Sequence, residues 1–270
     1  YNYTPYQPNG AALGNLYGTG DGCSSYGNRN FWRYYWDWFG NPQEKNGPEY
    51  IADAYAAQGG ASGPLGAARG EATFVAGGWM REFAGGNIYW TAATGARTVS
   101  GDMLTKYLAE GGPAGWLRWP YGAATSATSN GVAGTWQWFQ GATMYASPGG
   151  GAHVVVGAMR DHFASTGGLS GPLGWPVGDE TTVAAGGGGS VQEFRGGTIH
   201  RSAAGGFRVV SGDLLTAFEA AGGPAGGWGW PTGDATAISA GGVSGLWQWF
   251  QGGTAYSSRM PRSDPSPRSA

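Results

Sequence analysis

The sequence predicts a mainly β protein made of four tandem repeats of about 55 residues, each a short helix followed by a small four-stranded antiparallel module. Composition and periodicity both support this prediction. The 270 residues include 55 glycines and 14 tryptophans, and only 12% of them are charged. Glycine at this abundance favours tight turns over long helices. The aromatic residues supply the bulk that disordered chains lack, so many short strands are expected.

Internal self-similarity is the strongest signal in the chain. A Phe-x-Gly segment begins at Phe83, Phe139, Phe194 and Phe250. These phenylalanines are 56, 55 and 56 residues apart (139−83, 194−139, 250−194). Glycines that each end a short β-branched run keep a similar spacing, at Gly101, Gly157 and Gly212. Two markers with one period indicate a repeated structural unit.

A third marker is a tetrad of the type Leu-x-Trp-Pro. It stands at 117–120, 173–176 and, with tryptophan first, 228–231, and a degenerate Leu-Gly-Ala-Ala copy occupies 65–68. Proline restricts its own backbone and that of its predecessor, which predicts an ordered loop. The second and fourth units share Trp-Gln-Trp-Phe-Gln, whereas the first and third share Glu-Phe. This superperiod of two predicts that successive units meet different surroundings.

The markers divide the chain into unit one (51–102), unit two (103–158), unit three (159–213) and unit four (214–258). Helical spacing of apolar residues predicts an opening helix in each unit, at 51–57, 103–109, 159–164 and 214–220. Strands are predicted in unit one at roughly 71–75, 79–83, 87–91 and 96–100. Unit four lacks sequence for its last strand. The units are expected to stack as a stalk, and the alternative is a closed propeller-like arrangement that acts as a lectin.

The two ends of the chain do not match the repeat. In segment 1–50, Trp32, Tyr35, Trp36 and Phe39 form one face of a predicted helix at 31–40. This helix is expected to cap the first unit, or else to bind a protein partner. Cys23 is the one cysteine, either a small buried hydrophobe or an intermolecular disulfide partner. Residues 259–270 are rich in Pro, Ser and Arg and are expected to be disordered.

Residues 173–199 resemble the LGFP repeat of actinobacterial cell-envelope proteins. The likeness rests on Leu-Gly-Trp-Pro at 173–176, Gly-Asp-Glu at 178–180 and Val-Gln-Glu-Phe-Arg-Gly-Gly-Thr-Ile at 191–199, and in weaker form it extends over 51–258. Trp175 stands where the family name places phenylalanine. The resemblance implies four-stranded β modules that associate with the peptidoglycan–arabinogalactan layer. It also implies a secreted, envelope-associated protein whose partner is a cell-wall polysaccharide.

Aromatic faces stack on the C–H faces of sugars, and nearby amides and carboxylates hydrogen-bond hydroxyl groups. The predicted ligand-binding residues lie in the tetrads, on the second strands and on the third strands: Trp119, Trp175, Trp230, Arg81, Glu82, Gln137, Gln192, Glu193, Gln248, Tyr89 and Tyr145. The tetrad tryptophans are equally compatible with a role as core plugs. The polar second-strand residues are expected to point away from the core, because strand side chains alternate with the neighbouring phenylalanines.

Other function classes find little support. Carboxylate pairs for glycoside hydrolysis (Glu180 with Glu193, Glu71 with Glu82) do not persist across the units, so no enzyme is predicted, with a wall-turnover hydrolase as the alternative. His153, His162 and His200 lack ligand spacing, so neither a metal nor a cofactor is expected. A net charge of −2 argues against nucleic acid. The sequence contains no run of 18 apolar residues, so no membrane span is predicted.

Overall fold

A computed structural model describes residues 45–240 and 243–259, which form helices and antiparallel sheets in alternation. The helices are α1 (Gly47–Ala57), α2 (Gly101–Ala109), α3 (Gly157–Ser165) and α4 (Gly212–Ala220). Short 3-10 turns follow each helix, and another interrupts unit three at Ala185–Gly187. The predicted 31–40 helix, Cys23 and almost all of the predicted tail lie outside the described residues.

Each sheet is a simple meander in which neighbouring strands are also consecutive in the chain. Unit one holds β1 (Thr73–Val75), β2 (Gly78–Phe83), β3 (Gly86–Thr91) and β4 (Gly95–Val99). Unit two holds β5 (Thr125–Ser129), β6 (Val132–Trp138), β7 (Thr143–Ser147) and β8 (Gly151–Val155). Unit three holds β9 (Thr181–Val183), β10 (Gly189–Phe194), β11 (Gly197–Ser202) and β12 (Gly206–Val210).

The fourth sheet has three strands in the described part of the chain: β13 (Thr236–Ala240), β14 (Val243–Phe250) and β15 (Gly253–Arg259). None of the four described sheets closes on itself. The predicted mainly β class is thus confirmed, and the four strands expected in unit one are present within two residues of their predicted ends. Among residues 45–240 and 243–259, a bilayer-spanning helix is absent.

The helices begin earlier than the hydrophobic spacing predicted. Gly101, Gly157 and Gly212, expected to end strands, are the first helical residues and have φ of +57°, +48° and +58°. Glycine enters this left-handed region without a steric penalty, so each one turns the chain from a last strand directly into the next helix. At α1 the start is instead a capping box, in which Asn46 and Glu49 each accept the other's backbone N–H.

The core of each unit lies between its helix and one face of its sheet, here called the inner face. An aromatic residue of the helix contacts the phenylalanine at the end of the second strand, with ring centroids 4.5–4.9 Å apart. The pairs are Tyr55–Phe83, Tyr107–Phe139, Phe163–Phe194 and Phe218–Phe250. The repeated phenylalanine is therefore the fixed point on which the helix packs.

The tetrad is an ordered loop that runs beside this core. Its last residue bridges to the repeated phenylalanine in every unit, as Pro176 does to Phe194. Its second residue is left-handed: Gly66, Gly174 and Gly229 have φ of +64°, +66° and +63°, and Arg118 has +55°. Unit two thus places a residue with a Cβ where the other units place glycine, and a left-handed L-residue costs roughly 1–2 kcal/mol.

Candidate functional site

The tetrad tryptophans join neighbouring units. Trp175 and Trp230 are fully buried, and Trp119 is almost so. The Trp175 indole N–H donates to the Val132 carbonyl at 2.8 Å, and the Trp230 indole N–H donates to the Ala185 carbonyl at 2.8 Å. Both acceptors belong to the preceding unit. The tryptophans, predicted either as ligand contacts or as core plugs, are plugs between units, with no free face for a polymer.

Each plug fits against a glycine of the preceding sheet. This glycine lies on the outer face, the face opposite the inner face. A Cβ added to Gly78 would lie 2.6 Å from the Trp119 ring, one added to Gly134 would lie 2.8 Å from Trp175, and one added to Gly189 would lie 2.7 Å from Trp230. Real Cβ atoms do not approach other atoms so closely. The space left by the missing side chain is therefore the socket that holds the indole.

The second-strand glutamines also belong to the joints. Gln137, Gln192 and Gln248 have no exposed surface. Each side-chain amide donates twice, once to the last strand of the preceding unit and once to the loop after its own tetrad. For Gln192 the acceptors are the carbonyls of Val154 at 2.8 Å and Gly178 at 3.0 Å. The prediction that these residues point away from the core is wrong, because a glutamine two residues before phenylalanine shares its face of the strand.

Arg81 occupies the same position in unit one, where no described unit precedes it. Its Nε donates to the Gly70 carbonyl at 2.8 Å, the loop contact that the glutamines make in later units. Its guanidinium lies 3.8 Å from the Glu71 carboxylate and 5.8 Å from the Phe83 ring centroid. Arg81 is thus engaged within its own unit, although it remains partly exposed.

The third-strand aromatics pack onto the next unit's plug. Tyr89 is fully buried, 6.4 Å from the Trp119 ring, and burial raises the pKa of its hydroxyl to about 12. Tyr145 is half-buried, 6.5 Å from the Trp175 ring. His200 takes the same place against Trp230, and burial lowers its pKa to about 4. A neutral imidazole therefore fills the joint between units three and four.

The joint between units two and three also contains an ion pair. Asp179, after the unit-three tetrad, lies 2.5 Å from Lys106 of α2 and accepts the Val154 N–H at 2.9 Å. Burial raises the pKa of Asp179, but the ammonium and the amide outweigh this effect, so that the pKa lies below its usual value. His153 lies 3.4 Å from the same carboxylate. Asp179 therefore serves structure rather than ligand contact.

Of the predicted ligand-binding residues, only Glu82 and Glu193 are exposed rather than partly or fully buried, and both lie on the outer face at the end of the second strand. The residue just before the repeated phenylalanine alternates along the chain: Glu82, Trp138, Glu193 and Trp249. Both glutamates are exposed, and Trp138 and Trp249 expose 44% and 55% of their surface. These four residues, here called the strand-end residues, are the candidate functional site. The superperiod of two thus corresponds to a change of chemistry: units one and three present a carboxylate, and units two and four present an indole.

Each strand-end indole packs against a glycine of the loop after the tetrad. A Cβ on Gly122 would be 3.3 Å from the Trp138 ring, and a Cβ on Gly233 would be 3.2 Å from the Trp249 ring. Tyr121 stacks on Trp138, with centroids 5.7 Å apart and planes 14° from parallel. Trp136 and Trp247 lie beside Trp138 and Trp249 at 5.0 and 5.2 Å. Units two and four thus present firmly supported aromatic surfaces.

The sequence predictions named Glu82 and Glu193 but missed Trp138 and Trp249. The signal was available, because a residue adjacent to a buried phenylalanine in a strand must face the opposite side. The repeated tetrad tryptophan is the more prominent pattern in the sequence. Repetition indicates a packing role as readily as a binding role, whereas adjacency to the buried phenylalanine places a side chain on the opposite face.

Two of the four carboxylates in the predicted hydrolytic pairs have structural partners. Glu71 lies beside Arg81, and Glu180 accepts from the Ser190 hydroxyl at 2.5 Å. His162 stacks on Phe207 at 4.9 Å, and burial lowers its pKa. In the part of the chain that the structure describes, no cluster of three or more His, Cys, Asp or Glu side chains suits a metal ion.

Comparison with protein families identifies three copies of the LGFP repeat, at residues 65–115, 121–171 and 173–226. Each match begins at or just after a tetrad and runs through a sheet into the following helix, so the family repeat is shifted relative to the helix-first units. Together the matches span more than half of the 270 residues. A comparison with curated proteins finds no match.

Proposed function

The chain belongs to the LGFP-repeat family, and from this premise we propose that it is a non-catalytic protein that attaches to glycan of the bacterial cell wall. The observation that carries the proposal is the alternation of exposed carboxylate and indole at the strand-end residues. Indole faces stack on sugar C–H surfaces, and carboxylates accept hydrogen bonds from hydroxyls. The partner is a peptidoglycan or arabinogalactan strand, met outside the cell after export.

The repetition of the site suits a polymeric ligand. Trp138 and Trp249 belong to units that are separated by one unit, so one chain offers at least two aromatic contacts. Each exposed indole offers a stacking surface for one sugar ring, so each contact alone is weak. Contacts made together on one polymer act intramolecularly, and avidity then exceeds a single site by roughly 10²–10⁴.

The joints favour an open stalk for this role. All inter-unit side-chain hydrogen bonds in the described residues connect consecutive units, as from Gln137 to Thr98 and from Trp230 to Ala185. Tyr256 of unit four, opposite Trp247 on the outer face, is 70% exposed, whereas its counterpart Tyr89 is buried against the next plug. Small-angle scattering distinguishes the two arrangements. An elongated particle supports the stalk, and a compact one supports the closed propeller-like alternative.

Sedimentation with insoluble actinobacterial walls, before and after acid removal of arabinogalactan, tests the function. We expect retention of the intact chain, a reduced retained fraction for Trp138→Ala or Trp249→Ala, and near-complete loss for the double variant. Phe74→Ala is the matched control, since Phe74 is 64% exposed on unit one, away from the strand-end residues. Equal retention of the double variant and the control would overturn the assignment of the site. Absence of retention on both wall preparations would overturn the function, and release of soluble wall fragments would favour a hydrolase.

A further inference from the structure

An open groove of about 690 Å³ lies on the inner face of unit two, beside the start of α2. Its volume is within the range of small-molecule sites, roughly 300–1,000 Å³. The helix side contributes Ser100, Gly101, Asp102 and Met103. The sheet side contributes residues of β5, β6 and β7, among them Ser126, Thr128, Ala133, Thr135 and Ala146.

In unit one the corresponding space is filled by aromatic side chains. Trp79 lies four residues before the repeated phenylalanine and pairs across the sheet with Trp90. Trp90 stacks on Tyr50 of α1, with centroids 5.2 Å apart and planes 9° from parallel. The Trp79 ring lies so close to Gly47 that a Cβ there would be 2.1 Å from it. Helix start and sheet are therefore in contact through three rings.

Unit two replaces each of these rings with a small or polar residue. Thr135 lies four residues before Phe139 and pairs with Ala146, as Trp79 pairs with Trp90. Asp102 precedes Tyr107 by five residues, as Tyr50 precedes Tyr55. The groove is thus the volume of the missing rings, held open by the same helix and sheet. Because the two units share their framework, the groove is specified by sequence.

The lining has the chemistry of a sugar site. Hydroxyls come from Ser100, Ser126, Thr128 and Thr135, a carboxylate from Asp102, and methyl surface from the alanines. The lining contains no lysine, arginine or histidine, so it offers an anion no charge partner. A neutral sugar ring matches it, because its C–H face covers methyl groups while its edges exchange hydrogen bonds with hydroxyls and a carboxylate.

Units three and four do not repeat this combination. Unit three has Ala158 in place of Asp102, and Arg201 at the position of Ala146. Unit four keeps the carboxylate as Asp213 but places Leu246 at the position of Thr135. We propose that the unit-two groove is a binding subsite for one neutral sugar residue of the wall glycan, with Asp102 and Thr135 as its hydrogen-bonding groups. The subsite rests on the proposed function and adds to it a second contact, on the face of the sheet opposite Trp138.

Amide chemical shifts of the full chain test this subsite, with D-galactose, D-arabinose, N-acetylglucosamine and a soluble wall-glycan fraction as probes. We expect shifts of the 100–103 and 126–135 amides with at least one probe. Asp102→Asn, which preserves shape, should weaken that binding about tenfold or more, the usual value of a hydrogen bond to a charged group. Ala146→Leu should abolish it by filling the groove. Asp161→Asn, an exposed carboxylate on α3, is the control.

Two results would overturn the subsite: unshifted groove amides with every probe, or unchanged affinity in both Asp102→Asn and Ala146→Leu. If walls still retain the chain in that case, wall attachment stands without the groove. If the groove amides shift but walls do not retain the chain, the groove binds soluble sugar and the proposed function fails. Should Ala146→Leu disturb the neighbouring core, unchanged affinity in Asp102→Asn alone would overturn the subsite.

Discussion

Replacing Trp175 with alanine should uncouple the unfolding of units two and three. The indole is fully buried, and replacing a buried tryptophan with alanine removes about 3–5 kcal/mol. The same change removes the donor to the Val132 carbonyl, a further contribution of roughly 1 kcal/mol. Because stacked units are stabilised by nearest-neighbour interfaces, Trp175→Ala should weaken this joint specifically and split one cooperative transition into two.

Urea unfolding followed by far-ultraviolet circular dichroism would report the number of transitions. Hydrogen exchange by mass spectrometry would show where protection is lost, and we expect the loss on β6, β7 and β10 first. Trp249→Ala is the control, since this indole is 55% exposed and packs against Gly233 and Trp247 of its own unit, so its removal should cost less than Trp175→Ala and leave a single transition. A single transition for Trp175→Ala, destabilised by less than about 1 kcal/mol, would refute the plug as the source of coupling.

The remaining predictions concern the same joints and one tetrad. The pKa of His200 is about 4 in the folded chain and 6.5 in the unfolded chain, so the stability it contributes is complete above pH 6.5 and declines as pH falls toward 4, by on the order of 3 kcal/mol. His200→Tyr, the residue type of units one and two, should flatten this part of a stability–pH profile, and an unchanged slope would contradict the assignment. Gln192→Leu leaves the buried Val154 carbonyl and the partly buried Gly178 carbonyl without this donor and should cost about 2 kcal/mol in chemical denaturation, whereas a neutral result would show that water replaces the amide. Arg118→Gly removes a left-handed L-residue at φ +55° and should raise the free energy of unfolding by roughly 0.5–1 kcal/mol, and with it the melting temperature. A lower melting temperature would refute the strain.

The sequence was sufficient to predict the sheets because their signals are local. Glycine turns, strand-length runs and the repeated phenylalanine lie within one unit, and the structure places β2 and β3 of unit one within a residue of prediction. The helix starts were misplaced because Gly101 and its counterparts resemble strand ends in sequence. Their positive φ, which begins a helix, follows from the chain's path and not from residue type.

The joints could not be predicted from a single unit's sequence. Trp175 and Gln192 contact the preceding unit through backbone carbonyls, which leave no mark in residue type. A socket glycine such as Gly134 looks like any other strand glycine until the indole that fills it is known. The strand-end tryptophans were within reach, however, because their facing follows from alternation with Phe139 and Phe250 alone.

The plug-and-socket joint has a mechanical consequence. Each unit is tied to its neighbour by a continuous chain and also by a buried indole and a buried amide, as with Trp230 and Gln248. A pull along the chain therefore loads side chains lodged in the adjacent sheet together with the connecting backbone. The extension at which two units part is set by withdrawal of an indole from its glycine socket. Units joined in this way should resist being pulled apart, whereas units on flexible linkers would separate at low force.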